Sequence, residues 1–200
     1  LLWEPLLAAA RAAGVPFCDD ANGVEQEGIS RMEATVGGGA RSSTARAYLH
    51  PVKQRPNLII HTDALAHRIE VMNGRAVGVR YQRRGQPCEA RALREIIICG
   101  GAFNSPQLLL LSGIGPADEL RALGIEPVHD LPGVGRNLAD HPNILNEYEL
   151  KGTQGLTRHL RIDRAALAVI RWKLTRGGPF ALTGTSANVF ARTLPGLDQP

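Results

Sequence analysis

The sequence predicts an α/β fold in which helices cover a sheet on both faces. Residues 96–99 (Ile-Ile-Ile-Cys) are continuously apolar, which is typical of a strand buried within a parallel sheet. Gly100-Gly101 ends this run, and an apolar helix follows with Ser105 as its predicted N-cap and Pro106 as its first residue. Upstream, Asn73-Gly74 separates two runs rich in β-branched residues. This pattern predicts a β-hairpin, because a type I′ turn needs positive φ at both central residues.

The remaining elements follow from periodicity and from turn residues. Apolar spacing and a terminal glycine predict a helix over residues 2–13, and residues 14–40 are predicted to be loop. Strands are predicted at 57–62, 66–72, 75–82 and 89–94, and helices at 45–49, 116–123 and 157–176.

The composition is that of a globular protein. The chain has 200 residues, of which 44% are hydrophobic and 21% charged, and this excludes disordered and collagen-like chains. No apolar run approaches the roughly 18 residues of a membrane-spanning helix. Aromatic residues make up only 4%, which counts against a protein that stacks on nucleic-acid bases. The three cysteines have no metal-binding spacing, so a reduced, cytoplasmic location is expected, with no metal site.

The net positive charge of the chain comes from its last fifty residues. Residues 1–150 carry 15 basic and 17 acidic side chains, whereas residues 151–200 carry 8 and 2. The predicted helix over 157–176 holds most of these cations. A solvated outer face is the simplest interpretation, and peripheral association with an anionic membrane is the alternative. A nucleic-acid-binding module has only these fifty residues to support it, so no nucleic-acid partner is expected.

Four stretches resemble one enzyme family. Residues 101–115 (GAFNSPQLLLLSGIG) closely resemble the second signature of the glucose–methanol–choline (GMC) oxidoreductases, which are flavoenzymes that oxidise alcohols. Three more stretches resemble segments of that family and occur in the same order along the chain. They are residues 39–49 (GARSSTARAYL), residues 55–66 together with Ala-Val-Gly-Val at 76–79, and residues 131–142 (LPGVGRNLADHP). The resemblance is dense over residues 1–145 and looser beyond, and the choline-dehydrogenase-like branch is the nearest.

This resemblance implies an architecture and an activity. Residues 1–145 would form part of a Rossmann-type FAD-binding domain with a β-meander, and residues 146–200 would begin an α+β substrate-binding domain. The implied reaction is FAD-dependent oxidation of a small-molecule alcohol to an aldehyde or ketone. It does not indicate whether oxygen, a quinone or another acceptor then takes the electrons.

The family's two terminal motifs have no match here. Its Gly-x-Gly-x-x-Gly lies on a first strand near the N-terminus, and its catalytic histidine lies near the C-terminus. No catalytic residue is therefore assigned within the chain, which is expected to be an internal fragment of a longer enzyme. The alternative is that the chain is an incomplete, non-catalytic fragment that binds no FAD on its own.

The resemblance also implies site residues. Ala66 matches a strand position whose backbone meets the adenine, and Gly100, Gly101 and Ala102 match the turn near the ribose and pyrophosphate. Ser105 would cap the helix after that turn. Asn137, Asp140 and His141 match the motif that ends the family's flavin domain, and a structural or supporting role is expected for them.

Two further hypotheses concern substrate and mechanism. Ser186 falls where choline-type relatives tend to carry glutamate, and a serine lacks the charge that suits a quaternary ammonium, so a neutral alcohol is expected. Asp140 and His141 with a serine would resemble a hydrolase triad. That interpretation is disfavoured because the Gly-x-Ser-x-Gly turn of such hydrolases is missing.

Overall fold

A computed structural model describes residues 2–148, 161–181, 186–194 and 196–197. The chain divides into two compact units, one from residues 1–55 and 146–200 and the other from residues 56–145. The proposed division into functional domains at residue 145 stays a prediction. Among the described residues, no helix has the length and apolar character needed to cross a membrane.

The unit from 56 to 145 is built on an antiparallel meander. Its three strands pair in the order β4-β5-β6, and they span Ala64–Met72, Arg75–Arg83 and Gln86–Arg91. Asn73 and Gly74 join the first pair with φ of 51° and 74°, as the sequence predicts. Arg84 and Gly85 make an equivalent turn between β5 and β6, with φ of 49° and 82°.

A helical segment follows the meander in the same unit. It contains α2 (Gly101–Leu111) and α3 (Ala117–Ala122), with the parallel two-residue strands β7 (Ile114–Gly115) and β8 (His129–Asp130) beside them. The carboxylate of Asp130 accepts a hydrogen bond of 3.0 Å from the backbone N–H of Ala117 and so caps α3. Leu120, on α3, is among the most buried side chains of the chain.

Three predictions in this unit are wrong. Helix α2 begins at Gly101 and contains Pro106, so Ser105 is not its N-cap. Residues 96–99 form no strand, and Ile97 is 75% exposed. Residues 57–62 are also unpaired. A strand exists only beside a hydrogen-bonding neighbour, and none of the described residues forms one beside either segment.

The other unit joins distant parts of the sequence. Helix α1 (Trp3–Ala12) is followed by β1 (Gly28–Arg31), which pairs antiparallel with β9 (Ala187–Phe190). A short hairpin forms from β2 (Val36–Gly37) and β3 (Ala40–Arg41). The prediction that residues 14–40 are entirely loop is therefore wrong, because the partner of β1 lies more than 150 residues away and no local pattern reveals it.

Helix α4 (Ile162–Thr175) confirms the core of the predicted basic helix, whose residues 157–160 lie outside the described residues. The indole N–H of Trp172 donates to the carbonyl oxygen of Gly39, which ties the helix to the glycine-rich hairpin. The helix ends at Arg176 in a left-handed conformation, with the guanidinium 4.8 Å from the centre of the Trp172 ring.

An ion pair joins the strands of this unit near their ends. The backbone N–H and the guanidinium of Arg192, just after β9, both donate to the carboxylate of Glu27, just before β1. These hydrogen bonds hold the pKa of Glu27 below its ordinary value, and the one from the backbone N–H of Arg192 contributes most. The pair therefore favours the register in which Ser30 faces Asn188.

Candidate cofactor site

The candidate site begins at a glycine turn. Gly101 has φ of +82°, a conformation that residues with a Cβ rarely adopt. A Cβ added to Gly101 would meet no atom within 4 Å, so its backbone faces open space. A Cβ on Gly100 would instead lie 3.0 Å from the Cβ of Asn104. Gly100 therefore lets the turn pack on its own helix, whereas Gly101 leaves room for a ligand against the backbone.

Ser105 holds this turn by its side chain. Its hydroxyl oxygen accepts a hydrogen bond of 2.9 Å from the backbone N–H of Gly100, the residue that precedes α2. A helix start leaves several backbone N–H groups unpaired, and the serine satisfies one of them. Ser105 thus contributes to the shape of the turn although it lies within the helix.

A cavity of about 570 Å³ opens beside the helix after this turn. A volume of this order suits a small molecule or part of a larger cofactor. One wall comes from α2 and includes Ala102, and the facing wall comes from residues 135–139. The lining is mostly apolar, and its polar side chains belong to Gln107, Arg136 and Asn137. The guanidinium of Arg136 is paired with Glu119.

The loop that closes the cavity contains three of the predicted site residues. Asn137 lines the cavity and has φ of +55°, which asparagine tolerates better than most residues. Asp140 and His141 do not line it. Both are exposed, and the Asp140 carboxylate accepts a hydrogen bond of 2.8 Å from the backbone N–H of His141. A side chain engaged in this local turn fits a structural role for the pair.

Ala66 lies on β4, where it pairs with Tyr81 on β5. The ladder between these strands shifts register between Ala66 and Arg68 and again between Glu70 and Val71. Strand β4 is the outer strand of the described meander on that side. Its free edge therefore offers backbone hydrogen-bonding groups near Ala66.

Ser186 belongs to the other unit, where it directly precedes β9 and is half-buried. Its role as a substrate contact stays a prediction. Sequence reasoning did not anticipate the wall of the cavity, because all of its residues except Gln107 share only apolar character. They are Phe103, Pro106, Gln107, Leu110, Leu111, Leu123 and Ile125.

The turn, the helix and the closing loop all lie within a match to a known family. The family described as GMC oxidoreductase matches residues 2–143. The chain belongs to the GMC oxidoreductase family. This confirms the predicted family and the predicted α/β class, and it agrees with FAD as the cofactor that the resemblance implies.

Curated relatives match this chain over its full length. It is 44% identical to the mitochondrial choline dehydrogenase of Mus musculus over 100% of its own length and 33% of the relative's. It is also 44% identical to an oxygen-dependent choline dehydrogenase of Stenotrophomonas maltophilia, covering 36% of that protein. Among solved structures it is similar to a formate oxidase, with a TM-score of 0.85 and 28% identity over 94% of this chain and 33% of that one. The chain thus spans about a third of the length of these relatives.

The residues present fit part of an FAD molecule. The open backbone at Gly101, the apolar cavity beside Ala102 and the free edge of β4 suit the adenosine half of a dinucleotide. The start of a helix, with its unpaired N–H groups and its dipole, favours the negative charge of a pyrophosphate.

Proposed function

We propose that this chain holds FAD within an enzyme that oxidises the CH–OH group of a small alcohol to an aldehyde or ketone. The observation that supports it most is the open glycine turn at Gly101, which leads into the cavity lined by α2 and lies in the stretch that matches the GMC family. Bound FAD supplies the hydride acceptor for this reaction.

Each proposed contact has a separate task. The β4 backbone at Ala66 meets the adenine, and the turn from Gly100 to Ala102 carries the ribose and pyrophosphate. Ser105 keeps the Gly100 N–H engaged and so fixes the turn. Asn137 closes the cavity, and Asp140 with His141 stabilises the loop behind it.

Flavin retention tests this proposal directly. The 200-residue chain is purified, denatured and examined for released flavin fluorescence, and FAD is also titrated into the flavin-free protein. Saturable binding is expected. The alternative, a fragment that binds no FAD by itself, predicts neither released flavin nor a titration signal.

A matched pair of variants separates the site from backbone strain. Gly101 and Gly85 share a φ of +82°, and a Cβ on either would meet no protein atom within 4 Å. Gly101→Ala and Gly85→Ala should therefore cost similar stability, about 1 kcal/mol. Only Gly101→Ala places a methyl group where the ribose and pyrophosphate would lie, so it alone should weaken FAD binding, by about tenfold or more. Equal FAD affinities in the two variants would exclude Gly101 from the site.

We propose a neutral alcohol as the substrate. Ser186 and Asn188, two residues apart near the start of β9, lie on one face of the strand, and Ser30 on β1 faces Asn188. Ser186 and Asn188 are half-buried and offer a hydroxyl and an amide without charge, whereas Ser30 is buried. A quaternary ammonium substrate is favoured by a carboxylate or an aromatic cage, so the relatives' choline suits this face less well.

Substrate competition tests the neutral-alcohol proposal in the full-length protein. Simple primary alcohols should be oxidised with higher kcat/KM than choline, and Ser186→Glu should shift the ratio toward choline. Ser186→Thr, which keeps the hydroxyl and the neutral charge, is the control. More efficient turnover of choline by the unaltered protein would contradict the proposal.

We also propose peripheral association of an otherwise cytoplasmic protein with anionic membranes, through α4. Ala168 on this helix is buried and Trp172 is half-buried, whereas Leu167, Ile170 and Leu174 are 67%, 53% and 80% exposed. An apolar stripe thus runs along the side of the helix opposite its packed face. Three cations on the same helix favour anionic lipid, and they are Arg164, Arg171 and Lys173.

Co-sedimentation with vesicles tests the membrane proposal. Binding should require anionic lipid, should fall as salt rises, and should be lost in Leu174→Asp. Leu65→Asp, at an exposed leucine of β4, should leave binding unchanged. Absence of binding to anionic vesicles at low salt would exclude the membrane, and a dimer in solution would assign the stripe to a second copy of the chain.

A further inference from the structure

Ser112 connects the two elements that carry the proposed adenosine contacts. It follows α2 directly, and its side chain is completely buried. Its hydroxyl donates a hydrogen bond of 2.6 Å to the carbonyl of Leu108 on the helix. The same oxygen accepts a hydrogen bond of 2.8 Å from the backbone N–H of Ile69 on β4, 43 residues away in sequence. The serine thus bridges helix and strand with both of its hydrogen-bonding functions.

The Ile69 N–H has a particular need for this partner. Ile69 is buried and pairs in register with Val79 on β5, and β4 is the outer strand of the described meander. On an outer strand every second backbone N–H points away from the neighbouring strand, and the ladder gives it no partner. A buried N–H left without a partner costs about 1–3 kcal/mol, so the serine oxygen replaces a bond that the ladder does not supply at this point.

The position of this bridge matters because both elements are stiff. Ala66 is three residues before Ile69 on the same strand, and the Gly100–Ala102 turn begins the helix that ends at Ser112. We propose that Ser112 is a positioning residue, whose hydroxyl sets β4 against α2 and so fixes the distance between the adenine edge and the glycine turn. This inference rests on the proposed function, since it names how the same site is held in shape.

Removal of the hydroxyl gives a graded test. Ser112→Ala removes both hydrogen bonds, and Ser112→Cys keeps a similar size but has a weaker donor and acceptor. ADP, which carries the adenosine and pyrophosphate half of FAD, and FAD itself are titrated into each flavin-free protein by calorimetry. Both ligands should bind about tenfold more weakly to Ser112→Ala, with Ser112→Cys in between.

A destabilised control separates positioning from general loss of stability. Ile29→Val truncates a buried side chain of the other unit and should cost about 1 kcal/mol without moving β4 or α2. Its affinities for ADP and FAD should match those of the unaltered chain. Amide hydrogen exchange at Ile69 should be faster in Ser112→Ala and unchanged in Ile29→Val, which reports loss of the bridge itself.

The outcomes are distinguishable. If the Ile69 amide exchanges faster in Ser112→Ala while both affinities stay within twofold of the unaltered chain, the bridge has no role in positioning and the inference is wrong. If Ser112→Ala does not fold, the affinities of Ser112→Cys decide between the same two results. If the unaltered chain binds neither ADP nor FAD, the proposed function fails, and the positioning role falls with it.

Discussion

The two units of this chain differ in the sequence separation of the residues that contact one another within each unit. In the unit from 56 to 145, the meander is made of neighbouring strands joined by two-residue turns. In the other unit, β1 pairs with β9 across more than 150 residues, and Trp172 on α4 contacts the hairpin at Gly39. Local order therefore dominates where the meander and α2 form the proposed cofactor site, and long-range contacts dominate where the substrate face is proposed.

This difference has an energetic consequence. Closing a long loop costs conformational entropy that must be recovered at the contact, so each long-range contact carries more of its unit's cooperativity. Single substitutions at such contacts should accordingly lower the free energy of unfolding by more than substitutions in the turns of the meander. Substitutions at three positions, in order of decreasing expected effect on stability, test this difference between the units.

The largest effect is expected at Gly39. It has φ of +66°, and a Cβ there would overlap the backbone carbonyl oxygen of Arg176 at the end of α4. Gly39→Ala should therefore lose about 3 kcal/mol of unfolding free energy, from steric conflict and from the disfavoured backbone conformation. Urea denaturation followed by tryptophan fluorescence measures this, since both tryptophans, Trp3 and Trp172, belong to this unit.

The neighbouring glycine is the matched control for this prediction. Gly38 has φ of +56°, but a Cβ there would meet nothing within 4 Å. Gly38→Ala should therefore lose only the conformational part, about 1 kcal/mol. Equal losses in the two variants would mean that the contact between the hairpin and α4 contributes nothing to stability.

Sequence patterns anticipated the elements whose signals are local. The Asn73-Gly74 turn, the cap of α1 by Gly14 and the core of α4 each depend on residues within a few positions of one another. The pairing of β1 with β9 had no such signal, and residues 96–99 illustrate the opposite error. Their apolar run has the composition of a buried strand, but a strand also requires a neighbour, which composition does not reveal.

The candidate site divides in the same way. The glycine turn and Ser105 were identified from a motif, although α2 begins earlier than its capping pattern indicates. The bridge from Ser112 to Ile69 was missed, because a serine after four leucines is expected only to end a helix. A hydrogen bond between side chain and backbone over 43 residues leaves no periodic trace in the sequence.

An intermediate and pH-dependent effect is expected at Glu27. Hydrogen bonds from Arg192 lower its pKa in the folded chain. The pair therefore contributes its full stabilisation at pH above the ordinary carboxyl pKa, and this contribution is lost as pH falls through the lowered folded value. Both side chains are partly exposed, so solvent screening keeps the effect below that of Gly39→Ala.

Glu27→Gln isolates this contribution to pH dependence. The variant should be less stable than the unaltered chain at pH 7, and the difference should shrink as pH falls toward 3. Urea midpoints of both proteins across this range provide the measurement, and Glu33→Gln serves as a carboxylate control, since the described contact of Glu33 is with the neutral side chain of Asn22. A constant difference between Glu27→Gln and the unaltered chain at all pH values would contradict a stabilising role for the ionised carboxylate.

The smallest effect is expected in the meander, where two equivalent turns differ by one residue. The first has Asn73 before Gly74, and the second has Arg84 before Gly85, with almost the same φ at the first position. Asparagine tolerates this left-handed conformation better than arginine, so Arg84→Asn should stabilise the unit by about 0.5 kcal/mol. The exposed contact of Arg84 with Asp63, at 3.7 Å, offsets little of this gain. The reciprocal Asn73→Arg should destabilise by a similar amount in thermal unfolding, and effects of the same sign in both variants would show that the turns are not set by local backbone preference.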